Sequence, residues 1–153
     1  EEKPIKKERT KNITVLEEMK DALQKVGAGS GGTRNISGST PYHNQLEKDI
    51  ANFHCRDKAL IFSSAYIANQ ATLSTLCKRI ENIKVFSDEL NHASLIEGIK
   101  NSKADCSIFR HNDLDHLEKL LSECELDRPK IIVFESLYSS PLYSHLLGST
   151  IRL

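Results

Sequence analysis

Residues 82–111 read NIKVFSDELNHASLIEGIKNSKADCSIFRH and predict a strand, a helix and a second strand in that order. The apolar runs at 82–88 and 105–111 have the length of strands, and residues 93–102 follow a helical pattern. A helix between two strands lets the chain cross back over the sheet, so the two strands are expected to run parallel. We therefore expect a parallel sheet at the centre of the fold.

The same alternation continues on both sides of this unit. Before it, residues 59–64 (ALIFSS) predict a short strand and residues 65–79 a helix. After it, residues 113–123 predict a helix capped by Asn112, and residues 130–136 (KIIVFES) a continuous apolar strand. Strands that alternate with longer helices are typical of α/β folds, in which helices flank a mostly parallel sheet. The expected fold class is therefore α/β.

An amphipathic helix is predicted ahead of the alternating region, from Thr14 to Gly27. Thr14 and Glu17 form a capping-box pattern, and Gly27 is the type of residue at which helices end. Residues 1–11 are charged and aperiodic, and we expect them to form a poorly ordered segment. The apolar residues of the helix recur at helical spacing and form one stripe: Val15, Leu16, Met19, Ala22, Leu23 and Val26.

Residues 27–39 (GAGSGGTRNISGS) hold five of the seven glycines, including a G-x-G-x-x-G pattern. A dinucleotide-binding loop of this pattern follows a strand and opens a helix, because the pyrophosphate lies at the helix N-terminus. Here the glycines follow a helix, so a nucleotide-binding domain is the less favoured interpretation. Thr40 and Pro41 then predict the start of a second amphipathic helix, whose apolar residues are Leu46, Ile50 and Phe53.

The composition is typical of a globular protein, because 21 basic side chains balance 21 acidic ones among 153 residues. Balanced charge does not favour a nucleic acid or an acidic membrane as partner, and no apolar run is long enough to span a bilayer. The four cysteines stand far apart, which does not favour a zinc site, so no metal is expected and the thiols are expected to be reduced and half-buried.

Polar side chains follow the predicted strands at their carboxyl ends, where α/β proteins bind ligands. The helix after Ser64 offers free amides to an anion such as phosphate, although plain capping explains Ser64 equally well. His92 is either catalytic or a solvated loop residue, whereas a role is favoured for Glu135, because a carboxylate directly after a buried strand is costly unless paired or used. Together they indicate an anionic small-molecule ligand. The other polar residues at this edge are Ser87, Asp88, Asn91, Arg110, His111, Ser136, Tyr138 and Ser139.

Several stretches carry a family resemblance: GAGSGGTRNISG, then H-x-x-L-E, LIFSSAYIAN, SDELNHASLIEGIKNS, IFRHND and FES-x-YS. They resemble the 5-aminolevulinate synthases, which are α-oxoamine synthases and fold-type I enzymes that use pyridoxal 5'-phosphate (PLP). The resemblance covers roughly residues 12–140 and implies part of the large PLP-binding domain of those enzymes. It also implies a transferase that condenses glycine with succinyl-CoA to give 5-aminolevulinate, CoA and CO₂, the first step of haem and tetrapyrrole synthesis.

The resemblance implies roles for the residues that match the family's PLP site. Ala65 and Tyr66 would offer backbone amides to the PLP phosphate, and His92 would stack on the pyridine ring. Glu135 would lie near the substituents of that ring, and Ser139 near its phenolic oxygen. His92 and Glu135 are therefore the expected catalytic residues.

Substrate contacts are implied in the same way. Ser87 would contact the substrate, and Thr33, Asn35 and Ile36 would line the succinyl-CoA pocket of the partner subunit in a homodimer. The glycines of this segment would allow positive φ angles and a close approach of the backbone to an acyl-CoA. A flexible solvent loop is the alternative interpretation of the same glycines.

Three departures from the family pattern accompany the resemblance. The family's PLP-binding aspartate and Schiff-base lysine follow the FES-type strand and have no counterpart here, so the isolated chain is expected to bind PLP weakly and to be inactive. Residues 141–153 diverge and are expected to form a separate tail, as in a truncated or frameshifted gene product. Cys106 stands where family members often have a lysine that contacts CoA, and Lys103 is a candidate to compensate.

The alternative function is that of a non-catalytic remnant that pairs with an intact synthase chain through the glycine-rich segment. The N-terminal residues have no secretory signal and fit a transit peptide poorly. The resemblance implies a cytoplasmic protein in a bacterium and a protein of the mitochondrial matrix in a eukaryote.

Overall fold

The computed structural model describes residues 12–29, 31–136 and 138. The chain divides into two compact units, Glu1–Ala59 and Leu60–Leu153. The predictions for the segment 1–11, for Ser139 and for the tail 141–153 lie outside the described residues. No helix in the described part of the chain is long and apolar enough to cross a membrane.

The first unit contains helix α1 at Ile13–Val26, and its ends were only partly predicted. The N-cap is Asn12, whose side-chain oxygen accepts from Thr14 N at 3.1 Å and from Val15 N at 3.4 Å. The predicted capping box of Thr14 and Glu17 is therefore wrong, because Asn12 is an equally good cap and starts the helix earlier. The end is confirmed, since Gly27 has φ of +80° and its N–H donates to the Leu23 carbonyl.

Helix α2 (Arg34–Ser37) and helix α3 (Pro41–Phe53) follow in the described part of this unit. The start of α3 is confirmed: Thr40 is the N-cap and Pro41 the first helical residue. The Thr40 hydroxyl accepts from His43 N at 3.4 Å, and the His43 ring accepts from Thr40 N at 3.3 Å. The glycine-rich segment follows α1, as predicted, and is not the strand-to-helix turn that a dinucleotide loop requires.

The second unit is a parallel three-stranded sheet with helices, as the sequence predicted. Strand β1 lies between the other two, in the order β2-β1-β3, and both pairings are parallel. Val85 at the middle of the sheet is level with Cys106 on one side and Ile131 on the other. The elements in chain order are α4 (Ala65–Arg79), β1 (Lys84–Asp88), α5 (Ala93–Ser102), β2 (Asp105–Phe109), α6 (Leu114–Ser122) and β3 (Lys130–Val133).

The sheet contributes to two hydrophobic clusters, because alternate strand residues point to opposite faces. Phe86, Phe109 and Leu117 form one cluster. Helices α4 and α5 pack closely beside the other, where a Cβ on Gly98 would lie 3.0 Å from the Gln70 carbonyl oxygen. That other cluster consists of Leu73, Cys77, Ile83, Val85, Ile99, Ile131 and Val133.

Three local predictions are wrong. Residues 59–64 do not form a strand, and Leu60 stays 65% exposed, because an apolar run becomes a strand only where a neighbouring strand can pair with it. The cap of α6 is Asp113, whose carboxylate accepts from His116 N at 2.8 Å, rather than Asn112. The cysteines are free, but Cys77 is buried and Cys55 and Cys106 are exposed, so they are not uniformly half-buried.

Candidate active site

The loop after β1 ties the ends of two strands together. Asn91 is buried, and its side-chain amide donates to the Val133 carbonyl at 2.8 Å and to the Ser87 hydroxyl at 3.0 Å. Because β1 and β3 are parallel, these bonds hold their carboxyl ends side by side. The Oδ1 atom of Asn91 has no hydrogen-bond partner among the described residues, which leaves a buried acceptor at this edge.

His92 is the N-cap of α5, and hydrogen bonds fix its ring. The ring Nδ1 accepts from Ser94 N at 3.1 Å and lies 2.8 Å from Ser94 Oγ. The side-chain amide of Asn69 donates to the same Ser94 hydroxyl at 3.0 Å. Since Nδ1 acts as an acceptor, a neutral His92 carries its proton on Nε2. The network thus selects one tautomer and one ring orientation.

The His92 ring also contacts the first turn of α4. The rings of His92 and Tyr66 meet edge to face, with centroids 6.1 Å apart and planes at 78°. The N-cap Ser64 accepts from Ile67 N at 3.2 Å, so the capping interpretation of Ser64 is confirmed. The amides of Ala65 and Tyr66 come before that position and have no intrahelical acceptor. The positive end of α4 therefore lies next to His92.

Glu135 reaches the same place from the end of β3. The backbone N–H of His92 donates to the Glu135 carboxylate at 2.5 Å. This contact joins two segments that are 43 positions apart in sequence. A carboxylate at the N-terminus of a helix is also favoured by the helix dipole. Tyr66, His92 and Glu135, which the sequence predicted separately, are thus brought together.

Ser87, which the sequence also predicted for this region, does not join the cluster. Ser87 is 4% exposed and its hydroxyl donates to the Asp88 carbonyl at 3.3 Å, so it lies beneath the loop. Its predicted contact with substrate stays a prediction. Ser139 lies outside the described residues.

The glycine-rich segment of the first unit carries the remaining predicted residues, Thr33, Asn35 and Ile36. Thr33 precedes α2 as its N-cap, and Ile36 is 81% exposed. The two terminal nitrogens of the Arg34 guanidinium bind the Glu47 carboxylate at 2.7 Å and 3.2 Å, and this pair joins α2 to α3. The predicted role of this segment in a succinyl-CoA pocket stays a prediction.

Sequence reasoning missed the side chains that support the cluster. Asn69 and Ser94 were not singled out, because no motif in the sequence marks the hydrogen bonds by which they hold the His92 ring. Asp88, His111 and Tyr138 were noted one by one, but their mutual contact was not foreseen. Burial raises the pKa of Tyr138 to about 12, so its hydroxyl keeps its proton at neutral pH.

Solved structures with the same fold are PLP-dependent transferases. The serine palmitoyltransferase of Sphingomonas wittichii matches with a TM-score of 0.79 at 31% identity, over 85% of this chain and 32% of that one. A structure of the S. paucimobilis enzyme with bound PLP and myriocin also has a TM-score of 0.79, at 32% identity, over 85% of this chain and 33% of that one. The chain thus has the α/β fold of the fold-type I PLP-dependent transferases.

The chain belongs to the aminotransferase class I and II family, whose model matches residues 7–141. It is 57% identical to the 5-aminolevulinate synthase of Paracoccus denitrificans over 125 residues, which are 82% of this chain and 31% of that protein. It is 52% identical to that of Rickettsia prowazekii over 130 residues, 85% of this chain and 31% of that protein. The resemblance found in the sequence is confirmed, and the chain spans about a third of the length of these relatives.

Proposed function

We propose that this chain forms part of the PLP-binding domain of a 5-aminolevulinate synthase. The proposed reaction is the condensation of glycine with succinyl-CoA to 5-aminolevulinate, CoA and CO₂, and it belongs to the whole synthase, of which this chain spans about a third. The observation that carries the proposal is the contact of one fixed histidine with both Tyr66 and Glu135. The similarity to curated synthases supports it.

The residues of the cluster fit PLP, which is a flat aromatic ring that carries a phosphate. The free amides of Ala65 and Tyr66 at the start of a 15-residue helix are suited to the phosphate. The imidazole of His92 is exposed and held in one orientation, so it is suited to stack on the pyridine ring. Ser139 is the further contact that the resemblance implies.

When bound, PLP serves as the electron sink that stabilises a carbanion at the α-carbon of glycine. The protein has to bind and orient the reactants. His92, as a neutral ring with its proton on Nε2, would cover one face of the cofactor and exclude water from it. Glu135 is held by the His92 amide and would bring its negative charge near the substituents of the pyridine ring. These two residues are the proposed catalytic pair.

The substrate contacts and the partner are proposals that rest on the family resemblance. Ser87 is proposed to contact substrate, and Thr33, Asn35 and Ile36 to line the succinyl-CoA pocket of a second subunit in a homodimer. The side chain of Ile36 is 81% exposed, which supports this role. Covering such an apolar side chain with a ligand or a second subunit removes apolar surface from water and so stabilises the complex. We propose the cytoplasm of a bacterium, or the mitochondrial matrix of a eukaryote, as the location.

The PLP site is tested by titrating PLP into the 153-residue chain and following its absorbance and fluorescence. We expect weak, reversible binding, and we expect His92→Ala to weaken it by roughly tenfold, the size of an aromatic stacking contribution. His54→Ala is the matched control, because His54 is an exposed histidine of the first unit. No binding to the wild-type chain, or equal losses in both variants, would contradict the proposal.

Turnover is tested by incubating the same chain with PLP, glycine and succinyl-CoA. None of its lysines stands in the setting of the family's Schiff-base lysine, so we expect no 5-aminolevulinate above background. Product formed by the chain alone would refute the proposed inactivity.

Pairing with an intact synthase chain is the second candidate function. Apolar residues of α1 support it, since Ile13, Met19 and Leu23 are 71%, 63% and 54% exposed. Co-purification of the tagged chain with a full-length synthase tests it. Replacing Met19 and Leu23 by serine should abolish pairing, whereas replacing the exposed Lys78 and Lys100 should not.

A further inference from the structure

A buried polar cluster supports the candidate active site from the side of β1. Asp88 ends this strand and is 3% exposed. Its carboxylate accepts from Leu90 N at 2.8 Å and from Asn112 N at 3.4 Å. It also lies 3.0 Å from the Nδ1 of His111. The carboxylate is thus held in place by backbone and side-chain donors.

His111 joins this cluster to the segment that follows β3. Its Nε2 lies 2.9 Å from the side-chain amide of Asn112, which is a donor, so the proton of a neutral ring is on Nδ1 and points to Asp88. The ring meets the ring of Tyr138 edge to face, with centroids 4.4 Å apart and planes at 76°. Tyr138 is therefore packed in one position above the end of β1.

The Tyr138 hydroxyl binds the segment that follows β3. Its oxygen accepts from the backbone N–H of Glu135 at 3.0 Å. Since the ring of the same residue packs on His111, which pairs with Asp88 at the end of β1, Tyr138 links the backbone of Glu135 to β1. The carboxylate of Glu135 accepts from His92 N. A chain of contacts thus leads from Asp88 through His111, Tyr138 and Glu135 to His92.

We propose that the Tyr138 hydroxyl is a positioning group that holds the Glu135 carboxylate against the His92 amide, and so prepares the His92 ring for its ligand. The inference rests on the proposed function, since it deepens the role of the same site. Tyr138 acts through Glu135 and is not itself a catalytic residue. The Asn91 amide binds Val133 and Ser87 and so holds the strand ends together. These bonds do not involve Glu135, whose orientation we assign to Tyr138.

The test compares the full wild-type chain with Tyr138→Phe by NMR, without PLP. The phenylalanine keeps the ring that packs on His111 and removes only the hydroxyl. We expect the His92 amide proton to resonate downfield in the wild type, and to move upfield and exchange about tenfold faster in Tyr138→Phe. Tyr42→Phe, at an exposed tyrosine of the first unit, should change neither value.

Glu135→Gln extends the test to the next link. It should move the His92 amide resonance as Tyr138→Phe does, and the double variant should add little further change, because the two residues act in series. Additive shifts, or a His92 amide unaffected by Tyr138→Phe, would overturn the proposal. These readouts need no cofactor, so they still decide the positioning role if the wild-type chain fails to bind PLP.

If Tyr138→Phe does not fold, amide exchange in the wild-type chain tests the positioning role instead. The amides of Glu135 and His92 should then exchange with the same opening free energy and the same denaturant dependence, because one opening breaks both contacts. Independent exchange of the two amides would overturn the proposal.

Discussion

The two units of the chain are held together by different means. In the second unit, clusters of buried side chains lie on both faces of a parallel sheet, and Val85 and Phe86 are fully buried. In the first unit, Ala51 is the buried hydrophobic residue among those described, and the apolar stripe of α1 stays exposed. The helices of the first unit are instead fixed by hydrogen bonds at their N-caps and by the ion pair of Arg34 with Glu47. An amphipathic pattern therefore predicts a helix but does not specify what covers its apolar face.

Truncating a core residue of the second unit should have the largest effect. Phe86→Ala would remove a fully buried ring that packs with Phe109 and Leu117, and should lower the free energy of unfolding by about 3–5 kcal/mol. Urea denaturation measures it. The matched change in the first unit is Leu23→Ala, at 54% exposure, which should cost less than about 1 kcal/mol. Equal losses of unfolding free energy in the two variants would contradict the difference in side-chain packing between the two units.

Substitution of one glycine in each unit compares how tightly the two units are packed. Gly98→Ala would place a Cβ 3.0 Å from both the Gln70 carbonyl oxygen and the Leu73 Cβ. The gain in helix propensity is about 1 kcal/mol, and crowding of this kind costs about 1–3 kcal/mol, so we expect a net loss of about 1 kcal/mol. Gly29→Ala in the first unit would place a Cβ that meets no atom within 4 Å, and it should be close to neutral. Urea denaturation measures both changes.

The ion pair of the first unit should matter for local order rather than for global stability. Arg34→Gln would break the two-nitrogen contact with Glu47, and should speed amide exchange in α2 and α3 while leaving the sheet amides unchanged. Asp21→Asn breaks the more exposed pair with Lys25 and serves as the control. Faster exchange in the strands of the sheet after Arg34→Gln would contradict the local role.

A smaller, pH-dependent effect is expected at the edge of the sheet. Hydrogen bonds from Lys84 and then Arg128 lower the pKa of Asp105. A carboxyl with a lowered folded-state pKa contributes stability above its unfolded pKa of about 3.9, and this contribution is lost as the pH falls through the folded value. Asp105→Asn should therefore lower the melting temperature slightly at pH 7, and the difference should disappear in strong acid. A difference that persists there would exclude the ionic origin.

Much of the second unit could be predicted because its signals are local. The bounds of α4 and α5 agree with the predicted 65–79 and 93–102, since periodicity and capping residues depend on neighbours in sequence. Residues 59–64 had the composition of a strand, but pairing is a non-local property. The order β2-β1-β3 likewise depends on contacts between distant segments.

The candidate site shows the same division. The carboxyl ends of parallel strands share one edge, so His92 and Glu135 could be placed there from the sequence. Tyr66 was placed at the same edge by a predicted strand at 59–64 that does not form. The bond from His92 N to Glu135, and the contacts of Tyr138 with Glu135 and His111, could not be placed. Hydrogen bonds of this kind depend on ångström-scale geometry, which the strand register and the rotamers set.

The α/β class, the parallel direction of the strands, the longer helices and the family could all be read from the sequence, because periodicity and motifs depend on residues that are close together in the chain. Tertiary structure alone decided which apolar segments are buried, in which order the strands pair, and how Tyr138, Glu135 and His92 connect. Burial and hydrogen bonding join residues that are far apart in the chain, and only the folded backbone brings their atoms within reach.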